Sequence, residues 1–271
     1  MPTVQIHDVP VPRLGFGTWE LSPADAERSV RDALELGYRH VDTAQLYANE
    51  DAVGRAIAAS GIDRDHVFVT TKVWRSHAAA RDVVSSTEDS LRRLGMDHVD
   101  LLLLHWPNDA VPLEETLGAM TEVRDRSWTR LIGVSNFPSG LLRRAVQLAP
   151  IAVDQVEYHP FLGQRTLLAT CAELDVLLTA YSPLAHGEAA HDATLREIGA
   201  AHGRTAAQVA LRWLLDQPHV AVLPRSARRE HIAENADLDF ELSDADRARI
   251  AALPKDHRKT HPPFAPAWDP E

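Results

Sequence analysis

The chain alternates between two patterns of hydrophobic and polar residues. Short segments are apolar nearly throughout, and Leu101–Leu104 is the extreme example. Longer segments between them carry apolar residues three or four positions apart, as at Val30, Ala33 and Leu34. The short runs predict strands of a parallel sheet buried on both faces, and the longer segments predict amphipathic helices. Eight strands are predicted in this way, at residues 14–17, 39–43, 67–72, 99–105, 130–135, 151–156, 176–181 and 220–223.

Helical segments follow these strands in a regular alternation. The first helix begins at the capping residue Ser22, has Pro23 in its first turn and ends at Gly37, a combination typical of helix termini. The alternation of eight strands with helices predicts an α/β protein with a closed (β/α)8 TIM barrel. An open doubly wound sheet is the alternative, and the even spacing of the units favours closure. The later helices are predicted at residues 49–60, 78–94, 113–125, 138–148, 164–174, near 193–217 as more than one helix, and 229–236.

Further segments flank the predicted barrel. Residues 4–11 alternate apolar and polar positions, which predicts an N-terminal β-hairpin. An extra helix is predicted around residues 243–253, after the last barrel unit. No linker or shift in composition divides the chain, so we expect residues 1–271 to form a single domain.

A proline-rich tail follows the extra helix. From Pro254 onward the chain contains five prolines together with Phe264 and Trp268. This spacing of prolines prevents a regular helix or strand. The tail is either a frayed end or an ordered flap, and its two large aromatic residues favour the flap.

Composition and charge narrow the class of protein. Among 271 residues, 28 are Lys or Arg and 39 are Asp or Glu, which gives a formal net charge of -11. This acidic balance argues against a protein that binds nucleic acid through a basic face. No apolar run approaches the roughly 20 residues of a membrane span, and the N-terminus lacks the pattern of a secretion signal. The single cysteine, Cys171, cannot form an internal disulfide, so we expect a cytoplasmic protein in which Cys171 is a small core residue.

Candidate chemistry gathers at the ends of the first strands. Asp42 ends one strand and Tyr47 follows it at the start of the next helix, while Lys72 and His105 end the two strands after that. The carboxyl ends of all strands in a barrel lie at one rim, where active sites are found. We therefore expect these four side chains to converge, although each one alone is more typical of packing, capping or a solvated surface.

Together the four residues form a general acid. A free tyrosine has a pKa of about 10, and an ammonium group beside the phenol lowers that pKa. Lys72 can supply this charge, Asp42 can hold Lys72, and His105 can hydrogen-bond a substrate oxygen or share the proton of Tyr47. Such a device can protonate a carbonyl oxygen that accepts hydride. The set lacks a serine or cysteine nucleophile beside a base and has no metal-ligand pair, so acyl transfer and metal chemistry are disfavoured. A lyase or isomerase with Tyr47 as base is a further reading.

Several motifs resemble those of the aldo-keto reductases, from about residue 4 to residue 253. The shared motifs include Gly15–Trp19, Gly37–Ala44 with Tyr47 and Asn49-Glu50, Thr71-Lys72, His105–Pro107, Gly133–Phe137, Gln155–Pro160, Tyr181–Pro183, Pro224–Ser226 and Glu234-Asn235. Within the family, the short loops and the ending Phe264–Asp269 are most similar to bacterial 2,5-diketo-D-gluconate reductases of the B type.

The resemblance implies a role for each matching residue. Tyr47 would donate the proton, tuned by Lys72 and Asp42, and His105 would orient the carbonyl. Trp19, Trp74 and Trp106 would wall the substrate pocket beside Tyr47 and His105, with core packing as their alternative role. The family binds NADPH without a Rossmann domain, and this chain has no Gly-x-Gly-x-x-Gly fingerprint. The implied cofactor-binding residues are Gly17, Thr18, Asp42, Ser135, Asn136, Gln155, Tyr181, Ser182, Leu184, Pro224, Arg225, Ser226, Arg228, His231, Glu234 and Asn235.

The adenosine end departs from the family pattern. Arg225 stands where the family commonly has lysine, and His231 stands where it commonly has arginine. Arg228 and Arg229 are additional cations at a strand end and helix start, where guanidinium groups and a helix N-terminus both suit phosphate. These residues predict a bound 2′-phosphate, hence NADPH in preference to NADH, with a solvated basic loop as the alternative.

The sequence therefore predicts an NADPH-dependent reductase of small aldehydes, ketones or keto-sugars. A regulatory barrel that binds NADPH with little catalysis is the alternative, and the intact acid–base set favours the enzyme. The short insertion 185–191 suggests an open pocket, and His186 or Arg258 near the rim would favour a carboxylated substrate. His159 has no matching role and is predicted to be a buried, hydrogen-bonded histidine. The family resemblance suggests a monomer.

Overall fold

A small antiparallel hairpin precedes the barrel in this computed structural model, which describes residues 2–270. Its strands are β1 (Thr3–Ile6) and β2 (Val9–Pro12). Ile6 and Val11 are buried against residues that fill the barrel interior, such as Leu101. The predicted hairpin is confirmed, and it contributes apolar side chains to the barrel core.

Eight parallel strands form a barrel. Each strand from β3 to β9 pairs in parallel with the next strand along the chain, ending with β10. Leu14, just before β3, bridges Val222 in β10, and the backbone NH of Gly15 donates to the Val222 carbonyl at 2.9 Å. These contacts join the first strand to the last, so the sheet is closed as predicted. The strands are β3 (Phe16–Gly17), β4 (His40–Asp42), β5 (Phe68–Val73), β6 (Val99–Leu104), β7 (Thr129–Ser135), β8 (Ile151–Glu157), β9 (Leu177–Tyr181) and β10 (Val220–Leu223).

Helices surround the barrel and follow the predicted alternation. The Ser22 hydroxyl caps the first of them by accepting from the Asp25 backbone NH at 3.2 Å. The segment predicted near 193–217 is two helices, separated by Gly203 in the left-handed conformation (φ 63). Within the described chain, none of the helices has the length and apolar character of a membrane span. The helices are α1 (Pro23–Glu35), α2 (Glu50–Ala58), α3 (Ala80–Leu94), α4 (Leu113–Asp125), α5 (Ser139–Leu148), α6 (Arg165–Leu174), α7 (Ala193–His202), α8 (Ala206–Leu215), α9 (Arg229–Ala236) and α10 (Asp244–Ala251).

Two apolar layers explain why the strands are apolar nearly throughout. Leu101 and Leu103 on β6 point into the barrel interior, whereas Leu102 and Leu104 point toward the helices. Successive side chains of a strand face opposite sides of the sheet, so a strand with two buried faces has no polar face. Cys171 is also buried between sheet and helices, as predicted for a small core residue.

The proline-rich tail is ordered across the rim where the strands end. The buried Glu157 carboxylate, at the end of β8, accepts from the backbone NH groups of Lys259 and Thr260 at 2.7 and 2.8 Å. Farther along, Asp269 accepts from the Ser139 backbone NH at 2.8 Å, at the N-terminus of α5. The flap is therefore confirmed, and the alternative of a frayed end is wrong.

Gly54 provides a test of helix packing around the barrel. A Cβ atom at this position of α2 would lie 2.1 Å from the Leu94 carbonyl oxygen at the end of α3. Gly54→Ala should therefore push the two helices apart and lower the free energy of unfolding by about 1–3 kcal/mol. Urea denaturation followed by circular dichroism measures this loss as a lower midpoint.

Gly118 in α4 is the matched control, because nothing lies within 4 Å of a Cβ atom added there. Gly118→Ala should raise the free energy of unfolding by about 0.5–1 kcal/mol through helix propensity. The close packing of α2 on α3 would be contradicted by a Gly54→Ala midpoint equal to or above that of the unaltered protein.

Candidate active site

A cavity of about 1050 Å³ opens at the rim where the barrel strands end. One end of the cavity is aromatic and contains Tyr47, Trp74 and His105, and the other end is polar and reaches the loop between β10 and α9. Most of the residues predicted to bind substrate or cofactor line this cavity. They are Gly17, Trp19, Asp42, Tyr47, Trp74, His105, Trp106, Asn136, Gln155, Tyr181, Ser182, Leu184, Pro224, Arg225, Ser226, Arg228, His231, Glu234 and Asn235.

Lys72 lies behind the cavity wall and is fully buried. Its ammonium group donates to the Asp42 carboxylate at the end of β4 and to the Thr43 carbonyl oxygen at 3.0 Å. A third contact reaches the Tyr47 hydroxyl at 3.3 Å. The Gln155 side chain donates to the other Asp42 oxygen at 2.8 Å. Both oxygens of the carboxylate are thereby engaged, and the ammonium group is held beside the phenol.

A short helical turn presents Tyr47 to the cavity. Gln45–Tyr47 forms one 3-10 turn that ends at Ala48 in the left-handed conformation (φ 52). The Tyr47 and His105 rings meet edge to face with their centroids 5.7 Å apart, and Trp74 packs against His105 at 5.2 Å. The buried Nδ1 of His105 has no hydrogen-bond partner within residues 2–270. The predicted set of Asp42, Tyr47, Lys72 and His105 is therefore assembled in space.

Burial dominates the electrostatics of this set. Burial lowers the pKa of Lys72, and the neighbouring Asp42 carboxylate opposes that shift. Burial and the Lys72 ammonium hold the pKa of His105 well below its usual value, so its imidazole is neutral. For Tyr47, burial and the Asp42 carboxylate raise the pKa well above its usual value. The expected lowering of the Tyr47 pKa is not found, because desolvation of the phenolate and the Asp42 charge both raise that pKa. The phenol is neutral and holds its proton.

Three strand ends contribute an amide and hydroxyl cluster beside this set. The Tyr181 hydroxyl donates to the Asn136 side-chain oxygen at 2.8 Å, and the Asn136 amide donates to the His105 carbonyl oxygen at 3.0 Å. Ser135 donates its hydroxyl to the Gln155 carbonyl oxygen at 2.7 Å. Asn136 has a left-handed backbone (φ 65), a conformation that asparagine adopts more readily than most residues.

Three residues that the sequence analysis assigns to the site do not reach the cavity surface. Thr18 is buried beneath it and donates its hydroxyl to the Asp42 carbonyl oxygen at 2.9 Å. Lys72 and Ser135 likewise lie behind the lining. They support neighbouring residues through hydrogen bonds and present no lining surface of their own.

The tail completes the aromatic wall. Phe264 packs edge to face against Trp74 and Trp106, with centroid separations of 6.1 and 5.5 Å. Trp268 packs against Trp106 from behind, at 6.1 Å. Trp106 lines the cavity and is also buried. It therefore has both of the roles considered for it, as a pocket wall and as a packed core residue. Phe264 is a pocket residue that the sequence does not identify individually, since the only available signal is the presence of aromatic residues in a proline-rich tail.

Charged residues at the polar end differ in how they are engaged. Arg225 donates to the Glu20 carboxylate at 2.8 Å, and both side chains line the cavity. Arg228 lies no closer than 3.9 Å to its acidic neighbour Glu230. Arg229 contacts Asp32 and Glu35 on α1 and does not line the cavity. Arg229 therefore does not join the phosphate cluster proposed from sequence, because its neighbours on α1 hold it on the outer surface.

Other residues near the rim have structural partners. His159 is fully buried and contacts the Glu157 carboxylate at 3.0 Å, which confirms the prediction of a satisfied histidine. Glu234 accepts a hydrogen bond from the Thr205 hydroxyl while lining the cavity. Within residues 2–270, no three His, Cys, Asp or Glu side chains are grouped as metal ligands would be.

Comparison with known proteins agrees with this geometry. The sequence profile of the Aldo/keto reductase family matches residues 13–255. A protein named methylglyoxal reductase DkgB from Salmonella typhimurium is 40% identical over 266 residues, which cover 96% of this chain and 99% of the relative. An aldo-keto reductase from Mycolicibacterium paratuberculosis is 44% identical over 257 residues, covering 93% of this chain and 91% of that protein.

Solved structures share the fold over nearly the whole chain. The protein in one crystal structure, provisionally described as a 2,5-diketo-D-gluconic acid reductase B, is 46% identical to this chain, with a TM-score of 0.97. The match covers 99% of this chain and 97% of that protein. The crystal structure of an aldo/keto reductase from Brucella melitensis is 37% identical in sequence, with a TM-score of 0.87. This match covers 92% of this chain and 98% of the Brucella chain. The chain belongs to the aldo/keto reductase family and is an oxidoreductase that acts on carbonyl and alcohol groups.

Proposed function

We propose that this protein is an NADPH-dependent reductase that converts small aldehydes, ketones or keto-sugars to alcohols, with Tyr47 as the proton donor. The observation that carries the proposal is the contact between the buried Lys72 ammonium and the Tyr47 hydroxyl, at 3.3 Å, on the wall of an aromatic cavity. A regulatory barrel that only binds a nucleotide has no need for a neutral phenol backed by a buried cation.

The proton step follows from the arrangement of the four residues. Tyr47 keeps its proton in the resting protein because burial raises its pKa. As a carbonyl oxygen gains negative charge, the phenol can transfer its proton to that oxygen. Lys72, held by Asp42, then lies beside the new phenolate and stabilises it. The neutral His105 imidazole can hydrogen-bond the same oxygen and so orient the carbonyl.

The size and the polar lining of the cavity support the proposal that it binds a dinucleotide. Its volume of about 1050 Å³ is at the upper end for small-molecule pockets, which are roughly 300–1,000 Å³. When bound, NADPH supplies the hydride that reduces the carbonyl. Asn136 and Gln155, supported by Ser135, would hold the nicotinamide carboxamide, and Tyr181 would stack on its ring.

The remaining cofactor contacts would line the path toward the adenosine end. Arg225 and Arg228 would bind the 2′-phosphate, because guanidinium groups pair well with phosphate oxygens. Among residues 2–270, the acid closest to Arg228 is Glu230, at 3.9 Å, and both side chains are well exposed, so the Arg228 charge is available to a ligand. The other residues along this path would be Gly17, Ser182, Leu184, Pro224, Ser226, His231, Glu234 and Asn235, and Thr18 would support the path from beneath.

The substrate end suits a small carbonyl compound of the methylglyoxal or 2,5-diketo-D-gluconate type, the classes that the names of the relatives suggest. Trp19, Trp74 and Trp106 would wall the substrate, with Phe264 as a further wall contributed by the tail. The proposal also includes one domain over residues 1–271 in a cytoplasmic monomer. The lone buried Cys171 is consistent with a reducing compartment.

Removing the proposed proton donor should abolish turnover while cofactor binding remains. Tyr47→Phe should lower kcat by about 10²–10⁴-fold, the usual contribution of a general acid. The measurement is NADPH consumption at 340 nm with methylglyoxal, 2,5-diketo-D-gluconate and an aromatic aldehyde, alongside NADPH binding by fluorescence.

Tyr38→Phe is the matched control, because the buried Tyr38 hydroxyl donates to the Ile232 carbonyl oxygen away from the cavity. Turnover of Tyr38→Phe should stay close to that of the unaltered protein. Tight NADPH binding without turnover of any carbonyl would favour the regulatory barrel instead. Absence of NADPH binding would reject both readings and favour a lyase or isomerase.

His105 should stay neutral across the physiological pH range. Burial and Lys72 hold its pKa well below the usual value, so its carbon-13 signals should not titrate between about pH 5.5 and 8, where an ordinary histidine does. The folded-state pKa of His105 is below that of the unfolded chain, so the unfolded state takes up a proton first as pH falls. His105 should therefore lower the free energy of unfolding as pH falls below about 6.5. Spectra of His105→Asn would assign the signal, and a midpoint near pH 6.5 would contradict a neutral His105.

The arginines at the polar end should differ in their effect on cofactor preference. Arg228→Ala and Arg225→Ala should each reduce the NADPH-over-NADH ratio of kcat/KM by about tenfold or more, the loss expected for a charge-assisted hydrogen bond. Arg229→Ala is the matched control and should leave the ratio unchanged, because Arg229 pairs with Asp32 and Glu35. Equal effects of all three variants would contradict a specific 2′-phosphate site.

A further inference from the structure

Glu20 forms an ion pair with Arg225, the arginine that is proposed to bind the cofactor phosphate. Its Oε2 lies 2.8 Å from Nη2 of Arg225, with the two side chains 56% and 39% exposed, respectively. Glu20 follows β3 and Arg225 follows β10, the two strands that meet where the barrel closes. The ion pair therefore lies at the seam of the barrel, on the wall of the cavity.

The other cavity cations are not engaged in this way. Among the lysines and arginines of residues 2–270 that line the cavity, Arg225 alone is paired with a carboxylate that also lines it. Arg228 is 3.9 Å from Glu230, and Lys259 contacts Glu188, and neither acid lines the cavity. A ligand that enters the polar end thus encounters Arg225 and its internal counter-ion together.

Glu20 has an unusual backbone conformation. Glu20 has a left-handed conformation (φ 58), which is uncommon for a residue other than glycine, asparagine or aspartate. It lies within a turn in which the Leu21 backbone NH donates to the Thr18 carbonyl oxygen at 3.2 Å. A left-handed glutamate at a cavity wall is the kind of backbone outlier that accompanies function.

We propose that Glu20 is a specificity-determining residue that competes with the cofactor's 2′-phosphate for Arg225 and so weakens the preference for NADPH over NADH. The inference rests on the proposed function. An exposed ion pair is weak, so a phosphate with several charged oxygens can displace the carboxylate. NADH has a ribose hydroxyl in place of that phosphate, so it binds without breaking the pair.

Equilibrium binding separates this competition from catalysis. The dissociation constants of NADP⁺ and NAD⁺ would be measured by quenching of tryptophan fluorescence, for the unaltered protein and for Glu20→Gln. Glu20→Gln should bind NADP⁺ about two- to fivefold more tightly, the range that corresponds to loss of one exposed ion pair. NAD⁺ affinity should stay the same.

Glu114→Gln is the matched control, because Glu114 pairs with Arg144 at 2.6 Å on the surface, away from the cavity lining. It removes the same charge and should change neither affinity. Repeating Glu20→Gln in an Arg225→Gln background should abolish the gain, because no pair remains to be broken.

Three results would overturn the proposal. They are unchanged or weaker NADP⁺ binding by Glu20→Gln, an equal gain for NAD⁺, and a gain that persists without Arg225. An equal gain for NAD⁺ would mean that Glu20 opposes a group common to both dinucleotides, such as the pyrophosphate. If the unaltered protein binds neither nucleotide, the proposed function itself fails, and that outcome is distinct from the other three.

Discussion

A buried ammonium group is the constraint on which the site depends. Lys72 is fully buried, and a buried charge is costly unless it is paired and hydrogen-bonded. Its partners are Asp42, the Thr43 carbonyl oxygen and Tyr47, which come from the neighbouring strand β4 and the turn that follows it. Gln155, from the far side of the barrel, engages the remaining Asp42 oxygen. Stabilising one charge therefore fixes the phenol in position as well.

The barrel explains why so much of this arrangement can be predicted from sequence. Parallel strands place their carboxyl ends at one rim, so residues that end apolar runs converge without any knowledge of contacts. The start of α1 could be predicted as well, because it depends on local residues. Ser22 caps the helix and Pro23 occupies its first turn. Asp42, Tyr47, Lys72 and His105 could be grouped on this basis alone.

Features that depend on contacts between distant segments were not predictable. Arg229 is withdrawn from the phosphate cluster by two acids on α1, almost 200 residues earlier in the chain. The Glu20–Arg225 pair joins loops at opposite ends of the barrel sequence. The sign of the Tyr47 pKa shift depends on how completely the phenol is buried. Sequence order contains no direct measure of burial or of pairing over such separations.

The tail is anchored to the barrel through its backbone, and this affects how the sequences of relatives can diverge. Its attachment to Glu157 uses the backbone NH groups of residues 259 and 260, and every amino acid except proline provides that donor. Side chains in this segment can therefore be exchanged without loss of the anchor. Phe264, which forms part of the aromatic wall, lies only a few residues farther on. The wall of the pocket can thus evolve by substitutions in the tail while the barrel and its acid–base set remain unchanged.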